Sequence, residues 1–120
     1  MLTVLVVDDN ADMRRLIRSI VSDLAHYIVE CADGSQAIQA YAAHKPDWVL
    51  MDIEMPILDG ISATWEIKAG FPDAQIVIVT EYDDPDWREE ARRAGACAYV
   101  LKDNLAEVRR ILLDQSLRSK

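Results

Sequence analysis

The feature that most constrains the fold is a fivefold alternation of short apolar runs with longer amphipathic segments. The apolar runs cover residues 2–7, 28–31, 48–51, 75–79 and 97–101, and a segment whose apolar residues recur at helical spacing follows each one. Strands that alternate with helices in this way predict an α/β protein whose parallel sheet is covered by helices on both faces.

Few topologies satisfy this order, because the crossover between two parallel strands is almost always right-handed. The flavodoxin-like (βα)5 arrangement, with strand order 2-1-3-4-5, is the natural choice for five strand–helix units. Its switch point lies between strands 1 and 3, where ligands of open α/β sheets bind. The length of 120 residues predicts one domain spanning residues 1–120.

Polar side chains stand where four of the predicted strands end. Asp8 and Asp9 follow the first strand and Asp52 the third, Thr80 ends the fourth, and Lys102 follows the fifth. Strands 1 and 3 are neighbours in the predicted sheet, so the three acids should converge. Carboxylates in one partly desolvated crevice repel each other unless a cation joins them, and oxygen ligands suit Mg²⁺. The sequence therefore predicts a magnesium site at this edge.

An isolated aspartate beside Mg²⁺ is a nucleophile candidate, because aspartyl phosphates are established covalent intermediates. Phosphoryl transfer needs little more than charge stabilisation at the equatorial oxygens of the phosphoryl group. Lys102 would supply a positive charge for this purpose, and the hydroxyl of Thr80 would supply a hydrogen-bond donor. The constellation thus predicts Asp52 as a phosphoryl acceptor.

Five short motifs occur in a characteristic order and carry a family resemblance. They are Val7-Asp8-Asp9-Asn10, Asp52-x-x-Met55-Pro56-x-x-Asp59-Gly60, Thr80, Gly95-Ala96 and Tyr99-x-x-Lys102. In these motifs the chain resembles the receiver domain of two-component response regulators, over essentially its whole length. Each motif alone is modest, but their combined order and spacing are highly specific.

The resemblance implies a phosphoryl acceptor and a set of metal ligands. Asp52 would accept a phosphoryl group from a phosphohistidine of a sensor histidine kinase or phosphotransfer protein. Asp9, Asp52 and the backbone carbonyl of Glu54 would bind Mg²⁺, and Asp8 would act mainly through bound water. On this interpretation the chain is a signalling phosphoacceptor and not an enzyme.

The resemblance also implies a switch. Thr80 would move toward the phosphoryl group and Tyr99 would turn inward, changing the face formed by the fourth helix, fifth strand and fifth helix. That face would control an output protein or a DNA-binding domain outside this chain, or pair two phosphorylated copies. Residues 99–103 resemble the branch whose receivers precede a helix-turn-helix domain. Glu81 departs from the small residue usual after the switch threonine and is predicted to slow phosphorylation by small donors.

The bulk composition excludes several other classes of function. A formal net charge of −8 argues against direct binding to nucleic acid or anionic lipid. No apolar run reaches the roughly 18 residues of a membrane span, and the amino terminus lacks the features of a signal peptide. We therefore expect a cytoplasmic domain with no membrane contact.

The sequence also predicts where several apolar side chains lie. Cys31 and Cys97 are predicted to be buried, reduced thiols, and Trp48 and Trp65 are predicted to be core residues. Leu16 is predicted to lie on the inner face of the first helix.

Three alternatives stay open on the sequence alone. A magnesium-dependent phosphohydrolase is disfavoured because Asp52-Ile53-Glu54 lacks a second aspartate to act as acid and base. A flavin- or nucleotide-binding module is disfavoured because acids follow the first strand where a phosphate cradle needs Gly, Ser or Thr. A receiver-like adaptor that works without phosphorylation has only Glu81 in its favour.

Overall fold

A computed structural model describes residues 2–118 and contains five strands and five helices in strict alternation. A short 3-10 turn, Lys102–Asn104, joins the last strand to the last helix. The strands are β1 (Leu2–Val7), β2 (Ala25–Cys31), β3 (Trp48–Met51), β4 (Ile76–Thr80) and β5 (Ala98–Leu101). The helices are α1 (Ala11–Val21), α2 (Gly34–His44), α3 (Gly60–Gly70), α4 (Pro85–Ala94) and α5 (Ala106–Arg118).

All strand pairs are parallel, and the sheet order is β2-β1-β3-β4-β5. This confirms the predicted flavodoxin-like topology. In the register, Val7 at the end of β1 lies opposite Cys31 of β2 and Met51 of β3. The carboxyl ends of β1 and β3 are therefore level, and the residues that follow them emerge side by side.

The core has two layers, one on each face of the sheet, because alternate side chains of the central strands point to opposite faces. Both layers are almost fully buried, and each large aliphatic side chain contributes about 2 kcal/mol by leaving water. One layer contains Leu5, Val7, Val49, Met51, Ile76 and Ile78, and the other contains Val4, Val6, Trp48, Leu50, Val77 and Val79.

Capping residues fix the helix ends close to the carboxyl edge of the sheet. The side chains of Asn10, Asp59 and Asp84 accept hydrogen bonds from the first backbone N–H groups of α1, α3 and α4. At the opposite edge of the sheet, Gly95 ends α4 with a φ of +106°, a left-handed conformation that favours glycine. The three N-terminal caps fix where α1, α3 and α4 begin beside the loops that follow β1, β3 and β4.

Three side-chain predictions are wrong. Leu16 is 46% exposed, because α1 turns Ile17 and Val21 toward the sheet and leaves Leu16 outside that stripe. Trp65 is 52% exposed, because α3 packs between α2 and α4 through its other faces. Cys97 is exposed because it precedes an edge strand, whereas Cys31 is buried as predicted.

The remaining differences concern boundaries. β2 starts three residues earlier than predicted, at Ala25, and β4 starts one residue later than predicted, at Ile76, and ends at Thr80 as predicted. Trp48 is buried as predicted. None of the described helices has both the length and the apolar character that a bilayer crossing requires.

Candidate functional site

Three carboxylates meet at the carboxyl edge of the sheet, between β1 and β3. Ligand oxygens of Asp8, Asp9 and Asp52 all lie within 4.8 Å of one another. Asp8 and Asp52 are buried, whereas Asp9 is exposed. An acidic cluster that is buried on one side and open on the other can bind a cation and still leave the open side of that cation free for a further ligand.

The backbone around Asp52 is tightly held. Its N–H donates to the carbonyl of Val7 at 2.9 Å, and its Oδ1 accepts from the N–H of Ile53 at 2.8 Å. Gly60, at the start of α3, donates its N–H to the carbonyl of Ile53 at 2.8 Å. A Cβ on Gly60 would lie 1.7 Å from the Asp52 carbonyl oxygen, so this close approach requires glycine.

Lys102 bridges the two buried acids from the end of β5. Its Nζ lies 2.9 Å from Oδ2 of Asp8 and 3.4 Å from Oδ2 of Asp52. Burial alone would lower the pKa of Lys102, but the contact with Asp8 and the charge of Asp52 outweigh it, and the pKa is raised. The ammonium therefore stays charged and faces both carboxylates.

The two buried acids are not equivalent. Burial, followed by the charge of Asp8, raises the pKa of Asp52 to about 6, although Lys102 and the N–H of Ile53 oppose this shift. Oδ2 of Asp8 is buried, and the Lys102 ammonium lies 2.9 Å from it. A carboxylate oxygen has a second lone pair, so this contact leaves it able to take a further ligand.

Thr80 and Tyr99 are linked through the backbone of Tyr82. Oγ1 of the buried Thr80 accepts from the N–H of Tyr82 at 3.2 Å, and the hydroxyl of Tyr99 donates to the carbonyl of Tyr82 at 2.6 Å. The guanidinium of Arg88 on α4 lies 4.4 Å from the centre of the Tyr99 ring. The predicted switch pair is thus joined by two hydrogen bonds to the loop between β4 and α4.

Two contacts at this edge were missed by the sequence reasoning. The hydroxyl of Tyr82 donates to the carboxylate of Glu54, and the guanidinium of Arg14 on α1 donates to the carbonyl of Asp8. A signal for the first contact exists in the spacing: Glu54 and Tyr82 each lie two residues beyond the strand-end residues Asp52 and Thr80. No sequence pattern indicates the second.

A shallow concavity of about 310 Å³ opens beside the acidic cluster. It is lined by Asp9, Glu54, Met55 and Asp59. Ile57 forms part of the loop between β3 and α3 and has a φ of +71°, an unfavourable conformation for a β-branched residue. Leu58 donates to the carbonyl of Pro56 at 2.8 Å, which closes a strained three-residue turn next to the concavity.

The fold and the site together define a class: small α/β domains with an acidic cluster and a lysine at the carboxyl edge of a parallel sheet. The model of the response regulator receiver domain matches residues 4–112. The chain therefore belongs to the receiver-domain family of response regulators. Members of this class are signalling phosphoacceptors, and this chain has the fold and the acidic cluster of that class.

Curated relatives and solved structures agree with this membership. The chain is 40% identical to the chemotaxis protein CheY of Halobacterium salinarum over 99 residues, covering 82% of each chain. It is 41% identical to the transcriptional regulatory protein PdtaR of Mycobacterium tuberculosis over 100 residues, which is 82% of this chain but 48% of that protein. The chain thus spans most of one relative and about half of the other.

Among solved structures, the CheX–CheY–BeF3–Mg complex from Borrelia burgdorferi contains a similar chain. The TM-score is 0.87 at 26% sequence identity, and the match covers 94% of this chain and 87% of that one.

Proposed function

We propose that Asp52 is the phosphoryl acceptor of this receiver domain. The observation that carries the proposal is the position of its Oδ2, 3.4 Å from the Lys102 ammonium and within the cluster formed with Asp8 and Asp9. An Asp52 carboxylate oxygen forms the new P–O bond while the P–N bond of a donor phosphohistidine breaks. The imidazole of the donor leaves and takes up a proton.

The residues present fit a magnesium ion. They offer hard oxygen ligands within 4.8 Å of one another, and the buried Oδ2 of Asp8, which the Lys102 ammonium contacts at 2.9 Å, keeps a second lone pair for a water bound to the ion. Asp9, Asp52 and the backbone carbonyl of Glu54 would hold the ion, and Asp8 would contact it through water. When bound, Mg²⁺ neutralises the charge that develops on the phosphoryl oxygens.

Lys102 and Thr80 support the transfer, and Thr80 and Tyr99 carry its consequence. Lys102 stabilises negative charge on the phosphoryl group, and the Thr80 hydroxyl turns from the Tyr82 N–H to donate to a phosphoryl oxygen. That movement breaks a contact with the loop which Tyr99 also holds. Tyr99 then turns inward, and the surface formed by α4, β5 and α5 changes.

The proposed output surface is grooved. Cavities of about 330 and 370 Å³ lie on the two sides of β5, against α4 and α5 respectively, and Tyr99 borders both. We infer an output protein or a DNA-binding domain as the partner, because several relatives of twice this length are transcriptional regulators.

Pairing of two phosphorylated copies stays a prediction, as do the cytoplasmic location and the assignment of residues 1–120 to one receiver domain.

The acceptor is tested by intact mass after incubation with Mg²⁺ and acetyl phosphate. Wild type should gain one phosphoryl group, Asp52→Asn should gain none, and Asp59→Asn should behave as wild type. Asp59 is a suitable control because it lines the same concavity but caps α3. An adduct on Asp52→Asn would place the acceptor elsewhere. No adduct on wild type, even with sensor kinases as donors, would favour the phosphorylation-independent adaptor. Steady turnover of a phosphoester would instead indicate an enzyme.

A further inference from the structure

Arg14 holds the loop that carries the acidic pair. From the first turns of α1, its Nη1 donates to the backbone carbonyl of Asp8 at 2.6 Å, and its Nε contacts Oε1 of Glu30 on β2 at 3.1 Å. The Arg14 side chain is 19% exposed, so its guanidinium is largely enclosed between these partners. Arg14 lies on α1 and Glu30 on β2, so the guanidinium ties the Asp8 carbonyl, in the β1–α1 loop, to two regular elements.

We propose that Arg14 is a positioning residue for the cation site, acting through the peptide group that joins Asp8 to Asp9. This inference rests on the proposed function, because it concerns the same magnesium site. Arg14 touches neither the cation nor the phosphoryl group. Its effect is to fix the direction in which the chain leaves Asp8.

The physical reason is the planarity of the peptide bond. Orienting the carbonyl of Asp8 orients the whole peptide plane and therefore fixes the position of the Cα atom of Asp9. The N–H of Asp8 donates to Cys31 at 3.1 Å and its side chain accepts from the N–H of Asn10 at 2.9 Å. These bonds hold Asp8 itself, whereas Asp9 is exposed and depends on the peptide plane that Arg14 orients.

Removing Arg14 has two possible effects on Mg²⁺ affinity, one through its charge and one through its positioning of the loop, and these effects have opposite signs. A guanidinium near the acidic cluster repels a divalent cation, so removing its charge alone should strengthen Mg²⁺ binding. Loss of positioning should weaken Mg²⁺ binding, because displaced partners of metal ligands typically cost about 10- to 100-fold in affinity. The sign of the change in Kd distinguishes the two effects.

Arg18 provides a matched control on the same helix. Its Nη1 contacts Oε2 of the same Glu30 at 3.0 Å, but its hydrogen bonds in the described part of the chain do not reach the β1–α1 loop. Replacing Arg18 removes an equal charge and a comparable contact with Glu30 of β2, but it leaves the bond from Arg14 to the Asp8 carbonyl in place. Arg14→Met serves as a second variant, because it keeps an apolar stem in the enclosed space.

The experiment measures the Kd of Mg²⁺ by calorimetry, with the melting temperature in EDTA recorded for each protein. Arg14→Ala and Arg14→Met should raise Kd about tenfold, and Arg18→Ala should change it less than about twofold. Arg14→Lys should fall between wild type and Arg14→Ala, because a single ammonium can reach only one of the two acceptors. A Kd that is unchanged or lower in Arg14→Ala and Arg14→Met would overturn the inference.

Phosphorylation by acetyl phosphate supplies a second readout. In Arg14→Met, the Mg²⁺ concentration that gives half the maximal rate should rise, while the rate at saturating Mg²⁺ stays within about twofold of wild type. A loss at saturating Mg²⁺ with no change in half-saturation would contradict a positioning role. If wild type binds Mg²⁺ and is phosphorylated but the variants bind equally well, only this inference fails. If wild type does neither, the proposed function fails with it.

Discussion

The hydroxyl of Tyr82 donates a hydrogen bond to the carboxylate of Glu54, which joins the loops that follow β4 and β3. Glu54 lies two residues beyond Asp52, and the backbone of Tyr82 also bonds Thr80 and Tyr99. One residue therefore contacts the acceptor loop through its side chain and both proposed switch residues through its backbone. A displacement of either loop must stretch or break at least one of these bonds.

The first prediction concerns the titration of Tyr82. Its hydrogen bond to Glu54, together with smaller contributions from burial and neighbouring acids, raises the pKa of Tyr82 to about 12. Glu54→Gln should return this pKa toward the ordinary tyrosine value of about 10, because an amide stabilises the protonated phenol less than a carboxylate does. NMR of ring-labelled tyrosine resolves Tyr82 from the other tyrosines and measures the shift directly.

Glu81→Gln is the control for this titration. Glu81 contributes only through its charge, so its replacement should lower the pKa of Tyr82 much less than Glu54→Gln does. Equal shifts in the two variants would show that the hydrogen bond to Glu54 does not persist in solution.

The second prediction concerns the pH dependence of stability. Burial and Asp8 raise the pKa of Asp52 from an ordinary value of 3.8 to about 6 in the folded protein. The unfolded chain therefore releases this proton at lower pH, and the Asp52 contribution to stability is lost as pH rises from about 4 to 6. Asp52→Asn should not show this decrease in the free energy of unfolding, because the asparagine amide does not ionise.

Urea unfolding of wild type and Asp52→Asn across this pH range, in EDTA, measures the difference. Above the window, Asp52→Asn should be more stable by roughly 1–2 kcal/mol, a value reduced for the water that reaches the site. Added Mg²⁺ should shrink the difference, because a cation stabilises the charged carboxylate of wild type. A difference that does not vary with pH would show that Asp52 titrates normally.

The third prediction concerns Lys102. Lys102→Met leaves Asp8 and Asp52 facing each other without the ammonium that now lies 2.9 and 3.4 Å from them. Removing one partner of a buried ion pair costs on the order of 3 kcal/mol, so we expect a loss of this size in the free energy of unfolding without Mg²⁺. Chemical denaturation measures it. Adding Asp8→Asn to Lys102→Met should restore part of the loss, and a purely additive double variant would argue against charge coupling.

The overall topology could be predicted from the sequence because its determinants are local. The apolar runs and helical spacings each occupy a few residues, and right-handed crossovers leave few ways to connect them. The meeting of Asp8, Asp9 and Asp52 follows from that topology, since β1 and β3 are neighbours with level ends. No side-chain detail was needed for this part of the site.

The remainder depends on long-range side-chain placement. Tyr82 reaches Glu54 over 28 positions and Arg14 reaches Glu30 over 16. The equal offsets of Glu54 and Tyr82 from their strand ends place both residues at the same edge of the sheet, but they do not indicate that the two side chains meet. No sequence pattern links Arg14 to Glu30. Helix rotation is also a property of the assembled protein. The apolar character of Trp65 indicated burial, but the position of α3 between α2 and α4 leaves this side chain exposed.

The last prediction concerns the two glycines that bound α3. A Cβ on Gly60 would lie 1.7 Å from the carbonyl oxygen and 2.8 Å from the carbonyl carbon of Asp52, both backbone atoms that cannot move aside cheaply. A Cβ on Gly70 would meet nothing within 4 Å. Gly60→Ala should therefore displace the acceptor loop and destabilise the domain by about 3 kcal/mol or more, a cost typical of overpacking with backbone shifts.

Gly70→Ala is the matched control, with the same chemical change at the other end of the same helix. It should be neutral or stabilising by about 0.5–1 kcal/mol, because alanine loses less chain entropy on entering a helix. Denaturant unfolding gives both values, and Mg²⁺ calorimetry shows whether the site is altered. Gly60→Ala should weaken Mg²⁺ binding, because the displaced loop carries both Asp52 and the Glu54 carbonyl, whereas Gly70→Ala should leave it unchanged. Wild-type stability and Mg²⁺ affinity in Gly60→Ala would show that the loop can withdraw from α3 without disturbing the acidic cluster.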